Sequence, residues 1–118
     1  MTLRRMKTYT SEQGYVYQYY FVGKRVAPSQ PEGTSEYIFD VTSDRKTTYA
    51  VSVFVSDATL KHWAAAHSRN LNDAEQYAAV KMRLFRAFDE IEDVMAQGRQ
   101  LFVTDEILET ALTSLGVQ

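Results

Sequence analysis

The first half of the chain alternates apolar and polar positions with a period of two, which is typical of β-strands. Residues 15–22 are dense in aromatic and β-branched side chains, and further alternating runs lie at 36–42 and 47–55. A loop that holds both prolines, 27–33, separates the first run from the second, and a short polar turn at 43–46 separates the second from the third. The pattern predicts three strands in an antiparallel meander.

The second and third runs predict a hairpin with one apolar face. Antiparallel pairing places three side chains from each strand on the same face: Tyr37, Phe39 and Val41 beside Tyr49, Val51 and Val53. The opposite face is mixed, because Ile38 and Phe54 lie there among polar side chains. We expect that second face to be solvated or to meet a partner.

Apolar positions in the second half recur with helical spacing. Asn72 and Glu75 have the spacing of a capping box, so a long helix should begin directly after Asn72. The predicted elements are a helix capped by Ser56 that ends near Arg69, a helix from about Asp73 to Gln97, a short strand at 100–103, and a helix capped by Thr104.

Together these elements predict an α+β fold, in which a three- to four-stranded antiparallel β-meander is covered on one face by two or three helices (β-β-β-α-α-(β)-α). The chain has 118 residues, of which 45% are hydrophobic, so residues 1–118 are expected to form a single domain. Residues 1–10 precede the first predicted strand and are expected to be a flexible basic N-terminal arm. Trp63, Phe85 and Phe88 are expected in the core.

Composition narrows the class of protein. The absence of cysteine excludes a disulfide framework, a thiol nucleophile and a cysteine-ligated zinc site. No apolar run is long enough to cross a membrane, and no apolar segment follows the basic N-terminus, so we expect a cytoplasmic protein. The net charge of −2 is uneven: residues 1–25 carry five basic side chains and one acidic, and residues 101–118 carry three acidic and no basic ones.

Few features of the sequence indicate a catalytic function. His62 and His67 are five residues apart, which is not the spacing of a helical metal pair, and His67 falls on the apolar side of its helix, where a structural role is expected. The carboxylates of Asp89, Glu90, Glu92 and Asp93 are expected to form a solvated helix face. No nucleophile or phosphate-binding motif is present, so no catalytic, cofactor or metal site is predicted and an enzyme is disfavoured.

Tyrosine is concentrated in the first predicted strand. Four tyrosines within six residues precede two cations: Tyr15, Tyr17, Tyr19 and Tyr20, then Lys24 and Arg25. Aromatic rings beside basic side chains on a sheet are typical of platforms for single-stranded nucleic acid. The negative net charge opposes phosphate binding and favours a role in a core or a protein interface instead.

The leading hypothesis is a non-enzymatic interaction domain that associates with itself, or with another protein, through its sheet. Tyr20, Ile38 and Phe54 exceed what one layer of helices would cover, and homodimers commonly bury such surface. The alternative is a single-stranded nucleic-acid-binding module that uses the strand from Tyr15 to Arg25. A third possibility is a small enzyme or ligand-binding domain with a pocket between sheet and helices.

Overall fold

The computed structural model describes residues 5–118, which form five strands and four helices. The strands are β1 (Lys7–Thr10), β2 (Val16–Val26), β3 (Thr34–Thr42), β4 (Tyr49–Ser56) and β5 (Gln100–Val103). The helices are α1 (Asp57–His67), α2 (Asp73–Glu90), α3 (Val94–Gln97) and α4 (Asp105–Ser114). The strands form one sheet in chain order, and the helices cover one of its faces. The predicted α+β class is confirmed.

The β3–β4 hairpin has the predicted register. Tyr37 pairs with Val53, Phe39 with Val51, and Val41 with Tyr49. All six side chains are buried, because they lie on the face that the helices cover. Trp63 is only 4% exposed, Phe88 is fully buried and Phe85 is partly buried against the same core, as expected.

Strand β1 corrects the prediction of a flexible arm over residues 1–10. Residues 7–10 pair antiparallel with β2, whereas residues 1–4 lie outside the described part of the chain. The strand is held by tertiary contacts: the Tyr9 ring stacks on Phe85 at 4.3 Å between ring centroids, and the Tyr9 hydroxyl donates to Asp89 at 2.8 Å. Strand β2 therefore lies between β1 and β3 and not at an edge of the sheet.

Strand β5 is present where the short extended run predicted it, but it runs parallel to β4. The three helices α1, α2 and α3 connect β4 to β5 and return the chain to the same end of the sheet. The sheet is therefore mixed rather than antiparallel throughout, with β1 and β5 as its edges.

The long helix ends at Glu90, seven residues before the predicted end at Gln97. Ile91 has an extended conformation (φ −97°, ψ 120°), and Asp93 caps the separate short helix α3 by accepting from the Ala96 N–H. Four acidic side chains in five residues disfavour the negative end of a longer helix. The break also lets Val94 bury its side chain in the core.

Helices α1 and α4 begin directly after their predicted cap residues. The Ser56 hydroxyl accepts from the Thr59 N–H, and the Thr104 hydroxyl accepts from the Ile107 N–H. Asn72 and Glu75 form the full capping box of α2. Across residues 5–118, no helix combines the length and apolar character needed to cross a membrane.

Candidate functional site on the outer face of the sheet

The sheet face opposite the helices, here called the outer face, carries a mixture of apolar and polar side chains. Strand alternation and register assign to it Val16, Gln18, Tyr20, Val22, Arg25, Glu36, Ile38, Asp40, Ala50, Ser52, Phe54 and Phe102. Val16, Val22 and Phe102 are exposed, and Tyr20 and Ile38 are partly exposed. No described helix covers this face, so its apolar side chains are open to a partner.

A β-bulge in β2 decides which cation reaches the outer face. The register with β3 shifts between Phe21 and Gly23, so Val22 is the extra residue. Beyond the bulge, Lys24 pairs with Tyr37 and its ammonium lies 5.2 Å from the centre of that ring. Arg25 is thereby placed on the outer face, opposite a carboxylate of β3.

That carboxylate is Glu36, which is buried although it is charged. The Arg25 Nε donates to one Glu36 oxygen at 2.7 Å, and the Ser52 hydroxyl donates to the other at 2.6 Å. The bond from Arg25 lowers the pKa of Glu36 below its usual value, and the bond from Ser52 adds to this against the opposing effect of burial. Both oxygens are satisfied, so this cluster stabilises the face and leaves Glu36 no role as a proton donor.

Two phenylalanines continue the same row across the sheet. Glu36 pairs with Phe54, which pairs with Phe102 on the edge strand, and the two rings stack with 5.1 Å between centroids. Phe54 is only 4% exposed, whereas Phe102 is 45% exposed. The partner that covers Phe54 is therefore largely within the chain, while Phe102 presents its ring to solvent.

A groove of about 760 Å³ opens at this end of the outer face. The stacked rings of Phe54 and Phe102 line its floor, and Pro31 and Glu32 of the proline loop line one side. The first turn of α4, with Asp105 and Glu106, lines the other. These two carboxylates also lie where the helix dipole favours acidic side chains. We call this feature the proline-loop groove.

The proline loop is held in place by the backbone. The Ala27 N–H donates to the Thr34 carbonyl at 2.9 Å, which closes the hairpin, and the Asp57 N–H donates to the Gly33 carbonyl at 2.6 Å. Gly33 has φ +82°, a conformation that favours glycine. The groove wall is thus fixed both to the sheet and to the start of α1.

The predicted tyrosine cluster is divided between the two faces. Tyr17 and Tyr19 are buried beneath the helices, and the Tyr17 ring stacks on Phe88 at 4.2 Å. Tyr20 lies on the outer face and Tyr15 is exposed just before β2. Because Tyr17 and Tyr19 are enclosed, they cannot stack on bases in this fold.

The histidines join two helices. His62 Nδ1 lies 2.7 Å from Asp105, and His67 Nε2 lies 2.8 Å from Glu109, so both pairs link α1 to α4. His67 also stacks on Trp63 at 4.2 Å between centroids. In the part of the chain that the structure covers, no three His, Asp or Glu side chains are grouped to hold a metal ion.

The carboxylates at the end of α2 have separate structural roles. Asp89 accepts from the Tyr9 hydroxyl and from the Glu12 N–H, while Glu90 pairs with Arg86 at 2.9 Å. Asp93 caps α3. These carboxylates are therefore not simply a solvated helix face as expected, because Asp89 holds the β1–β2 hairpin against α2.

The clefts between the sheet and the helices include an open one of about 420 Å³ between Tyr9 and α2, and a smaller one beside α3. The cleft beside α3 is lined by Tyr17, Tyr49, Asp93 and neighbouring side chains, and its volume is about 100 Å³. Small-molecule sites are usually about 300–1,000 Å³. The cleft beside α3 therefore lacks the room for a metabolite-sized ligand.

Comparison with protein-family models, with curated proteins and with solved structures found no match to this chain. A function can therefore be inferred only from the outer face and the proline-loop groove.

The sequence predicted Tyr20, Ile38 and Phe54 for this face and named Arg25 only as a cation that follows the tyrosines, and it did not indicate Phe102. The pattern at 100–103 predicts a strand but does not indicate which strand it pairs with. The parallel register with β4 is what brings Phe102 beside Phe54. The proline-loop groove was missed as well, since its walls come from segments more than 70 residues apart.

Proposed function

We propose that this protein is a non-enzymatic interaction domain that forms a homodimer through the outer face of its sheet. The observation that carries the proposal is a whole sheet face without a helical cover, on which Val16, Val22 and Phe102 are exposed. Scattered exposed apolar residues are normal, but these share one face with Tyr20 and Ile38. The cytoplasmic location expected from the sequence remains part of this proposal.

The projected area of the face is close to what a stable dimer needs. With strands about 4.8 Å apart and a rise of about 3.4 Å per residue, the five strands present roughly 600 Å² in projection. Two such faces bury at most about 1,200 Å² in projection, the lower limit for a stable protein interface, because Glu36 and Phe54 are already buried within the chain. Sheets stack in this way at a separation of about 10 Å, with their strands nearly aligned.

The cluster of Arg25, Glu36 and Ser52 on the face is compatible with burial. The Glu36 carboxylate already receives hydrogen bonds from Arg25 and Ser52, so covering it leaves neither of its oxygens without a donor. The charge of Glu36 is also balanced by Arg25. This supports a protein partner of similar chemistry, such as a second copy of the chain.

Nucleic-acid binding is the less favoured candidate. Tyr17 and Tyr19 are enclosed in the core, and Arg25 is engaged with Glu36. Beside Tyr20, a cleft of about 160 Å³ is lined by two cations, Arg5 and Lys7, which is fewer than a site that follows a phosphate backbone normally presents. We therefore propose association with protein.

Sedimentation velocity tests the proposal. At about 100 μM, well above a micromolar dissociation constant, the wild-type protein should sediment as a dimer. Phe102→Lys places a charge within the contact, on the edge strand β5, and should yield monomers. Leu115→Lys is the matched control, because Leu115 is similarly exposed (44% against 45%) but lies at the end of α4, in the helix layer.

Circular dichroism should show unchanged helix content in both variants. Wild-type protein that remains monomeric at that concentration would refute the proposal. So would a Phe102→Lys variant that dimerises as strongly as the wild type. If Leu115→Lys alone dissociated the dimer, the interface would lie in the helix layer instead.

A further inference from the structure

We infer that the proline-loop groove of each copy receives the β3–β4 turn of the other, so that the two sheets stack with their strands antiparallel. This inference rests on the proposed dimer, because it specifies the orientation of the second copy on the outer face. Its starting point is the position of the two features. The groove and the turn lie at opposite ends of β3, one beyond Thr34 and the other beyond Thr42.

The two ends carry opposite charge. The groove is lined by Glu32, Asp105 and Glu106, and no cation among residues 5–118 lines it. The turn at the other end exposes Arg45 and Lys46. Asp44 also lies in the turn, but its carboxylate is occupied by the Lys46 and Thr47 N–H groups at 2.8 Å.

Four of these charges lack an ion-pair partner within the described part of the chain. Arg45 and Lys46 form no ion pair there, and neither do Glu32 and Glu106, whereas Asp105 is bonded to His62. A second copy could satisfy both sets at once. Complementary potentials of this kind orient one protein on another more than they add affinity.

A two-fold axis brings the ends together. Strand β3 spans roughly 27 Å, at about 3.4 Å per residue. An axis parallel to the sheet and perpendicular to β3, passing near Ile38 at its centre, reverses the strand direction of the second copy. The turn of each copy then lies over the groove of the other, and both contacts form twice because the dimer is symmetric.

The chemistry of the groove suits such side chains. The floor is made of the Phe54 and Phe102 rings, on which the aliphatic stem of a lysine or arginine can pack. Ring faces also attract the cationic head, within about 6 Å of their centres. Glu32 and Glu106 on the two walls would then pair with the heads of Arg45 and Lys46.

Disulfide cross-linking tests the orientation, since the chain has no cysteine of its own. A Lys46→Cys protein and a Glu106→Cys protein that carries a mass tag are mixed and oxidised, and the products are read by mass spectrometry. We expect the mixed disulfide to dominate. Lys46→Cys mixed with tagged Ser114→Cys, whose substitution lies at the end of α4, is the matched control and should not cross-link.

Charge reversal gives an independent readout of the same contact. Lys46→Glu should raise the dissociation constant of the dimer roughly five- to tenfold, because each of two symmetric contacts gains a like-charge pair. Glu106→Lys should have a similar effect. The double variant K46E/E106K should return the constant to within about twofold of the wild type, since the opposite charges face each other again.

The outcomes separate this inference from the proposed dimer. A monomeric wild type overturns both. A dimer that Phe102→Lys dissociates, but in which Lys46→Cys cross-links chiefly to itself, has parallel strands and overturns only the orientation. A persistent dimer with neither cross-link, or a double variant as weak as the single ones, overturns the orientation as well.

Discussion

The hydrogen bond between Tyr9 of β1 and Asp89 of α2 should stabilise the protein by an amount that can be worked out from the structure. The Tyr9 hydroxyl donates to one Asp89 oxygen at 2.8 Å, and the Glu12 N–H donates to the other at 2.9 Å. Tyr9→Phe removes the first bond and keeps the ring stacked on Phe85. Asp89→Ala removes both bonds. The two single variants and the double variant form a double-mutant cycle.

The expected losses follow from the partial burial of the site. A hydrogen bond to a charged acceptor contributes about 1.5–3 kcal/mol when it is well buried, so about 1–1.5 kcal/mol is expected for Tyr9→Phe at this partly buried site. Asp89→Ala should cost about 2 kcal/mol, because the Glu12 bond is lost as well. The coupling energy between the two changes should be about 1 kcal/mol, since the bond they share can be lost only once.

Urea denaturation followed by circular dichroism measures these values. The dependence of the unfolding free energy on urea should stay unchanged, which shows that the same surface is exposed on unfolding. Tyr15→Phe is the matched control, because Tyr15 is exposed and its substitution should change stability by less than about 0.5 kcal/mol. If the losses from Tyr9→Phe and Asp89→Ala sum to the loss of the double variant within about 0.3 kcal/mol, the two side chains do not interact. The bond then does not hold the hairpin.

The phenol itself offers a second readout. Burial, followed by the hydrogen bond to Asp89 and its negative charge, raises the pKa of Tyr9 to about 12. Asp89→Ala should therefore lower that pKa. Ultraviolet titration of the phenolate, compared with Tyr9→Phe to isolate the one residue, gives the value. An unchanged pKa would show that Asp89 does not contact the hydroxyl in solution.

Four further predictions concern the core, the pH dependence at Glu36 and at Tyr49, and nucleic acid. Trp63→Ala should cost about 3–5 kcal/mol in urea denaturation, as for other large core aromatics, and a loss under about 1 kcal/mol would contradict its burial. The pKa of Glu36 is lowered in the folded protein, so its contribution is present above the usual value of 4.5 and is lost as pH falls through the lowered pKa. Glu36→Gln should flatten acid denaturation curves in that range, and an unchanged slope would contradict the Arg25 contact. Burial raises the pKa of Tyr49 to about 12, so its contribution is present below pH 10.0 and is lost as pH rises toward 12. Tyr49→Phe should therefore reduce alkaline unfolding, and an unaltered alkaline midpoint would count against it. Single-stranded oligonucleotides should bind no tighter than about 10 μM at about 0.15 M salt, and a salt-sensitive submicromolar complex in light scattering or anisotropy would reverse the choice of partner.

The sequence by itself determined the elements whose signals are local. Alternation over neighbouring positions specified the β3–β4 pairing, because a slip of one residue would turn every apolar side chain to the wrong face. The caps at Ser56, Asn72 and Thr104 likewise depend on residues within one helical turn. These elements formed where the pattern placed them, and with them the core around Trp63.

Only the tertiary structure decided the features that depend on distant segments. Strand β1 forms because Tyr9 meets Phe85 and Asp89, which are about 80 residues away and carry no local signal. The acidic residues at 89–93 disfavour a longer helix, but the burial of Val94 that accompanies the break depends on tertiary packing.

The candidate site belongs to the same category. A one-residue bulge at Val22 sets which of two adjacent cations, Lys24 or Arg25, reaches Glu36 on the outer face. The parallel docking of β5 brings Phe102 beside Phe54 and completes the floor of the groove. Sequence periodicity assigns side chains to faces within one strand. A bulge and a strand register depend instead on the packing between strands, because many contacts between distant residues contribute to their free energy together.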